Sequence, residues 1–305
     1  MSETLMNTRE VAEYLDINEK KVYALIKSRR IPATRITGKW LFPKDLVDAW
    51  LLEDAHAGLT EARQRSRQMG GALLAAGSND PVLDILQASL RKDHPEFYIF
   101  SASTGSRDGL LALNAGYTDI AWTHLWNPQD DTYNIPFLAK YMPDRRGVVV
   151  NLFYRELGLV TGRGNPSGIH GFDDLAREGV RFINRQPGAG TRVLLDIHLG
   201  RLGIEKSQIA GYEQEAFTHL EVGLAVLSGK ADVGIASIAI ANFLGLDFVP
   251  ITRERFDMVL DQNNFFEKPV QLLMDVLHDK AFRQRVGGMS RYDFSDSGRI
   301  LYSAS

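Results

Sequence analysis

The residues best suited to chemistry lie in "FINRQPGAGTRVLLDIH", residues 182–198. A strand-like start leads into a turn carrying Gly188 and Gly190, and Thr191 and Arg192 then open a helical pattern. A helix start presents unbonded backbone N–H groups and partial positive charge, and glycines let the backbone come close to a ligand, so this stretch suits a small anion. Comparable polar residues follow other apolar runs: Ser78 and Asn79 after "ALLAAG", Ser103 and Thr104 in "FYIFSASTGS", His124 after "DIAWT", and Thr218 and His219 in "GYEQEAFTH". Plainer assignments stand beside these. Thr191 also suits a helix cap and the two glycines a simple turn; Arg192 also suits an ion pair with Glu213 or Glu215, and His219 a buried structural histidine.

These groups need elements to bring them together. From Gly71 onward the sequence alternates strand, turn and helix, which predicts an α/β architecture with mostly parallel sheets. "GVVVNLFYRELGLVTG" is long and extended, as a segment crossing between two lobes would be, and the second lobe is expected over about residues 156–246. In open α/β sheets, ligands bind beyond the carboxyl ends of the strands, where the polar residues above cluster. No G-x-S-x-G elbow, Walker loop or dinucleotide fingerprint occurs, and no nucleophile, base and orienter can be singled out. The expectation is therefore a binding protein rather than an enzyme, with no required cofactor. The chain has no cysteine and no metal-ligand spacing among its histidines, so no metal site is expected.

With 305 residues, 44% hydrophobic and 24% charged, the chain has ordinary globular composition. No apolar run approaches the roughly 18 residues needed to span a bilayer, and no cationic, apolar leader opens the sequence, so a cytoplasmic location off the membrane is expected. The net charge of −3 conceals an asymmetry. Residues 17–44 hold eight cations against the one acid Glu19, a local +7, so the remainder sums to −10. Such a confined positive field favours a polyanionic partner.

Within that basic segment a first helix is expected from Thr8 as cap, burying Val11, Ala12 and Leu15, and a second after Asn18. Val22, Leu25 and Ile26 then face inward, leaving Lys20, Tyr23, Ala24 and Lys27 on the opposite side. "ATRITGKWLF" alternates as two short strands around Gly38, with Arg35 and Lys39 near the tip, and a third helix opens at Pro43-Lys44-Asp45. Residues 51–70 lack a deep apolar stripe and suit a linker, or a dimerising helix.

The turn, wing and closing helix, in that order, resemble the winged helix-turn-helix of the excisionase-like and MerR-like families. The resemblance implies binding of double-stranded DNA through the second helix and the wing, with Lys20, Lys21, Tyr23, Lys27, Arg30, Arg35 and Lys39 at the interface. Residues 71–300, through "NRQPGAGTR", "GYEQEAFTH" and "GKADVGIAS", resemble the periplasmic-binding-protein superfamily, in particular its type 2 members that bind molybdate or tungstate and the related domains of cytoplasmic regulators. This implies an oxyanion held by Ser78, Ser103 or Thr104, Thr191 and the loop at Thr218; Arg192, His124 and His219 depart from the simplest members. The expected organisation is a DNA-binding domain at 1–52, a linker at 53–70 and a sensor domain at 71–305. The expected function is a homodimeric one-component regulator sensing molybdate or tungstate. The alternatives are a regulator sensing a small organic metabolite, or an enzyme or accessory protein of molybdenum-cofactor metabolism.

Overall fold

The computed structural model describes residues 5–51, 71–287 and 291–304. The chain divides into two compact units, Met1–Met69 and Gly70–Ser305. The linker expected at 53–70, with its alternative as a dimerising helix, lies outside the described residues.

The smaller unit begins with a strand the sequence reading missed, β1 (Leu5–Asn7), and Asn7 rather than Thr8 caps α1 (Thr8–Tyr14). The Asn7 side chain accepts from Arg9 N and Glu10 N while Glu10 returns a bond to Asn7 N, a closed capping box. Asn18 caps α2 (Glu19–Lys27) through Lys21 N. Strands β2 (Thr34–Ile36) and β3 (Lys39–Pro43) form the wing, and β1 pairs with β3 on its other side. Thr37 and Gly38 both take positive φ, 49° and 86°, as a two-residue hairpin turn requires. A third helix, α3, is described over 44–51. Val11, Val22, Phe42 and Val47 bring all these elements onto one core.

The larger unit is built on one sheet and two lobes. In the first lobe, β4 (Ala72–Gly77) lies between β5 (Tyr98–Ser103) and β6 (Ile120–Thr123), all parallel. Helix α4 (Pro81–Asp93) follows β4, α5 (Ser106–Asn114) follows β5, and a small hairpin, β7 (Trp126–Asn127) with β8 (Thr132–Tyr133), precedes α6 (Ile135–Tyr141). Two 15-residue strands, β9 (Gly147–Thr161) and β13 (Asp247–Asp261), then run side by side through both lobes. The second lobe holds β10 (Phe182–Arg185), α7 (Gly190–Leu202), β11 (Glu215–Ala216), α8 (His219–Leu227), β12 (Val233–Ser237) and α9 (Ile238–Leu244). Helices α10 (Lys268–His278) and α11 (Lys280–Gly287), with the last strand β14 (Ile300–Ser303), complete the first lobe. The strand order is β11-β10-β12-β9-β13-β6-β4-β5, with β14 also on β9.

The expectation of mostly parallel pairing is corrected here. Pairing is parallel within each lobe, but β9 pairs antiparallel with β12, β13 and β14, and β13 pairs antiparallel with β6. The physical reason is that the chain crosses out on β9 and returns on β13, and a returning neighbour is antiparallel. Each lobe keeps its own apolar core, one around Trp122, Phe153 and Phe256 and another around Phe182, Leu195 and Val233. The crossing strands are what join them.

Candidate functional site

The polar residues of the larger unit meet where its strand ends from the two lobes face each other. Arg155 on β9 stands directly opposite Glu254 on β13, between two register shifts of β13, one at Pro250/Thr252 and one at Phe256/Asp257. Such irregularities re-aim side chains near sites. Arg155 is fully buried, yet every part of its guanidinium is engaged. It donates to Glu254 Oε1 at 2.6 Å, to Asp80 Oδ2 at 2.5 Å and to the Asn79 carbonyl at 3.3 Å, and it reaches His219 Nε2 at 3.1 Å. Tyr292 donates to Asp80, which also caps α4 through Val82 N. Burial opposes the charges, but the surrounding groups win. Glu254 is held down to about 2 by His124 and Arg155, and its two neighbouring carboxylates push Arg155 further up.

Beside this hub the GAG turn presses on the first lobe. Arg107 N donates to the Gly188 carbonyl at 3.1 Å, and a Cβ on Gly105 would lie 3.1 Å from Ala189 N. A Cβ on Gly190 would lie 2.7 Å from His124 Cε1. Glycine is required at 190 by close approach, since its backbone is not among those with positive φ. The α7 start has no side-chain cap bond, and Thr191, 2% exposed, has no partner for its hydroxyl. Thr104 Oγ1, Gln186 Nε2 and Ser237 Oγ, at the ends of β5, β10 and β12, are likewise buried without partners among the described residues. Buried polar groups are nearly always satisfied, so several orphans at converging strand ends mark a place built for another molecule's polar atoms.

The charge balance points the same way. Arg185 is buried and, among the described residues, donates only to neutral oxygens, the Ala216 and Phe217 carbonyls and Gln186 Oε1. Burial and the nearby Arg155 lower it to about 10. Among the described residues no carboxylate is in direct contact with this buried cation. Two openings shared by the lobes flank the cluster. One, of about 400 Å³, is lined by Arg107, Tyr141, Gly188 and Tyr212; the other, of about 560 Å³, by Asn79, Asp84, Thr218, Leu220 and Phe243.

The expected site residues divide as follows. Ser78, His124, Gly188, Gly190, Thr191 and His219 lie at this junction, and Ser78 Oγ is 2.8 Å from Ser106 Oγ. Asn79 contributes its carbonyl to Arg155. Thr104 is placed at the junction, and Ser103 stands exposed at the end of the edge strand β5, opposite Gly77 of β4. Thr218 accepts from Glu221 N as the α8 cap. Arg192 as a ligand contact is also corrected. Its guanidinium is bound to Glu215 at 2.5 Å, to Glu213 at 3.5 Å and to the Arg185 carbonyl, and stacks on Tyr212. Asp80, Ser106, Arg155, Arg185, Gln186, Ser237 and Glu254 were missed. The signal that would have found Arg155 is a charge at the middle of the long apolar strand β9, which burial tolerates only when paired; Glu254 had no such signal, since it stands among Arg253, Arg255 and Asp257 on β13. Among the described residues no group of acidic or histidine side chains is arranged to hold a metal.

In the smaller unit, Lys20, Lys21, Tyr23 and Lys27 on α2 are exposed, as are Arg30, Arg35 and Lys39. Tyr23 stands 51% open on the same helix as Lys20 and Lys27. Arg35 lies over the Trp40 ring and donates to the Gly38 carbonyl, which fixes it at the wing tip. Helix and wing thus form a basic surface with an aromatic between cations. Replacing Lys20 or Arg35 with alanine is expected to lower the slope of log affinity for duplex DNA against log salt by about one each, with little change in sequence preference; titration at several salt concentrations checks this.

The comparisons with known proteins agree with both halves. Residues 87–278 match the PBP superfamily domain, and the chain belongs to that family; residues 5–55 match a helix-turn-helix domain. Over 99% of both chains it is 28% identical to an uncharacterized protein, YvgK, of Bacillus subtilis (strain 168). Similar folds include a phosphate transporter substrate-binding protein with bound phosphate from Clostridium perfringens (14% identity, TM-score 0.54, covering 72% of this chain and 97% of that one). A tungstate ABC transporter structure from Geobacter sulfurreducens is also similar (15% identity, TM-score 0.52, 71% and 98%). A helix-turn-helix unit is therefore joined to a periplasmic-binding-protein-like domain in one chain, and no described helix is long and apolar enough to cross a membrane.

Proposed function

We propose that the chain is a one-component transcriptional regulator whose winged unit binds operator DNA and whose two-lobed domain closes on a small oxyanion. One observation carries the second half: at the start of α7, which has no side-chain cap, buried donors without partners among the described residues lie in the same junction as Arg185, a buried cation that no carboxylate of those residues contacts. Neutral hydroxyls, backbone N–H groups and a helix start suit a tetrahedral oxyanion. Molybdate or tungstate is the favoured ligand, supported by the sequence resemblance and by that choice of donors. Lobes connected by two crossing strands can close on a ligand and open without it, which supplies the two states a switch requires. The reading is of binding rather than catalysis, in the cytoplasm where operator DNA is accessible. A homodimer is part of it, because one winged unit spans only a half-site.

A small organic acid is the second reading, favoured by the 560 Å³ opening beside the cluster, where Leu220 and Phe243 would take an apolar body. Calorimetry of the full chain with molybdate, tungstate, sulfate, phosphate and small carboxylates separates the two. Molybdate or tungstate is expected to bind best, and Thr191→Ala to weaken it roughly 10- to 100-fold, as loss of a hydrogen bond to a charged group does. Binding by carboxylates alone would shift the assignment to the organic ligand.

A further inference from the structure

The two buried histidines at the junction have ring centroids 6.5 Å apart, and their surroundings give them different roles. His219 Nε2 sits 3.1 Å from an Arg155 nitrogen. A guanidinium only donates, so Nε2 accepts and the ring's proton is on Nδ1, which is turned to the Ile235 carbonyl without an aligned bond. A second proton would break the Arg155 contact and add a cation between Arg155 and Arg185. Burial and those arginines hold His219 well below the usual histidine range.

His124 differs. Its Nδ1 lies 2.8 Å from Glu254 Oε2. The contact is not an aligned hydrogen bond, but a bare ring nitrogen and a carboxylate oxygen repel at that distance, so the ring carries its proton on Nδ1. Nε2 is then the atom at which His124 gains or loses charge, and it has no hydrogen-bond partner among the described residues. The ring is stacked on Phe256, and its Cε1 and Nδ1 atoms are those nearest Gly190, in the same first turn of α7 that carries Thr191, with Nε2 next to Cε1 on the ring. In its neutral form Nε2 offers a lone pair to anything held at that turn. An anion there needs a donor instead.

The charges acting on this point are Arg155 from β9, Arg185 from β10 and Glu254 from β13; behind them Asp80 at the α4 cap, with the Tyr292 hydroxyl on it, faces Arg155, and Glu221 of α8 acts on Arg185. The four innermost balance, two cations against two carboxylates. A dianion unbalances them by two charges, and His124, already backed by Glu254, is the group placed to respond.

We propose that a doubly charged oxyanion is captured together with one proton, taken up on His124 Nε2, which turns that atom into a donor to the anion and selects dianions over neutral or zwitterionic ligands. This rests on the oxyanion reading above.

Titration calorimetry of the full chain with tungstate near pH 7.5, in buffers of different ionisation enthalpy, counts the protons directly. The expected result is uptake approaching one proton per tungstate, with affinity falling up to tenfold per pH unit as the pH rises. His124→Gln is expected to bind more weakly, without uptake and with a flat pH profile, while His219→Gln retains the uptake. Tungstate binding to the unaltered chain with no uptake and no pH dependence would overturn the proposal and leave the oxyanion reading standing. Uptake that persists in His124→Gln and vanishes in His219→Gln would overturn the assignment. Failure of tungstate, molybdate, sulfate and phosphate to bind at any pH would remove the reading beneath it.

Discussion

Replacing Arg155 with methionine is expected to lower the unfolding free energy by roughly 3–5 kcal/mol, the range for removing one partner of a buried ion cluster. The cause is the two carboxylates left behind rather than the value of the pairs themselves. Asp80 and Glu254 are almost wholly buried, and without the guanidinium neither has a full counter-charge. Adding Asp80→Asn and Glu254→Gln to the same variant should recover much of the loss, because the buried charges go with the cation. Urea unfolding of the three proteins measures both effects. A loss below about 1 kcal/mol would mean that water reaches the hub.

The same cluster fixes a direction for pH. His124 and His219 are held below the usual histidine value of 6.5, so below about that pH the unfolded chain binds protons the folded one refuses, and stability falls as the pH drops. Glu254, depressed from 4.5 to about 2, adds a contribution that is full above about 4.5 and is lost as the pH falls toward 2. Both effects act on the acid side.

Gly190→Ala is the second large effect, and it should appear in binding. The new Cβ would lie 2.7 Å from His124 Cε1, 2.8 Å from its Nδ1 and 3.0 Å from its carbonyl oxygen. His124 has little room to yield, held between Phe256 and Glu254. Overpacking of this kind costs about 1–3 kcal/mol, so closure and with it oxyanion affinity should weaken by one to two orders of magnitude. The unliganded chain can relieve the contact by parting the lobes, and α7 itself accepts alanine readily, so the thermal midpoint without ligand should change little. Unchanged tungstate affinity in this variant would show that the lobes do not need this contact to hold the ligand.

How far the sequence revealed these features depended on the range of the interactions involved. Asn18 before a helical run, the Thr37-Gly38 turn between alternating residues and the GAG turn before α7 are set by neighbours in the chain, and each stands where it was expected. Asn7 displaced Thr8 as cap because a closed capping box with Glu10 outcompetes a lone hydroxyl. The Arg155 hub was invisible because its members are far apart: Asp80 and Arg155 are 75 residues apart, Arg155 and Glu254 99. Only the pairing of two long strands brings them together. Arg192 shows the converse. Its place in a ligand-like motif was legible, but its outcome was decided by Glu213 and Glu215 on a segment that β10 draws alongside.

If one chain couples oxyanion capture to DNA affinity, the coupling is read in the operator affinity of the full chain with and without saturating tungstate. The operator is first isolated by selection from random duplexes, and binding is then followed by fluorescence anisotropy at fixed salt. A change of about 5- to 150-fold is expected, the usual span of coupling between two sites, with no comparable change in Gly190→Ala at the same tungstate concentration. Operator affinity that stays the same within twofold, while calorimetry on the same sample shows tungstate bound, would contradict it.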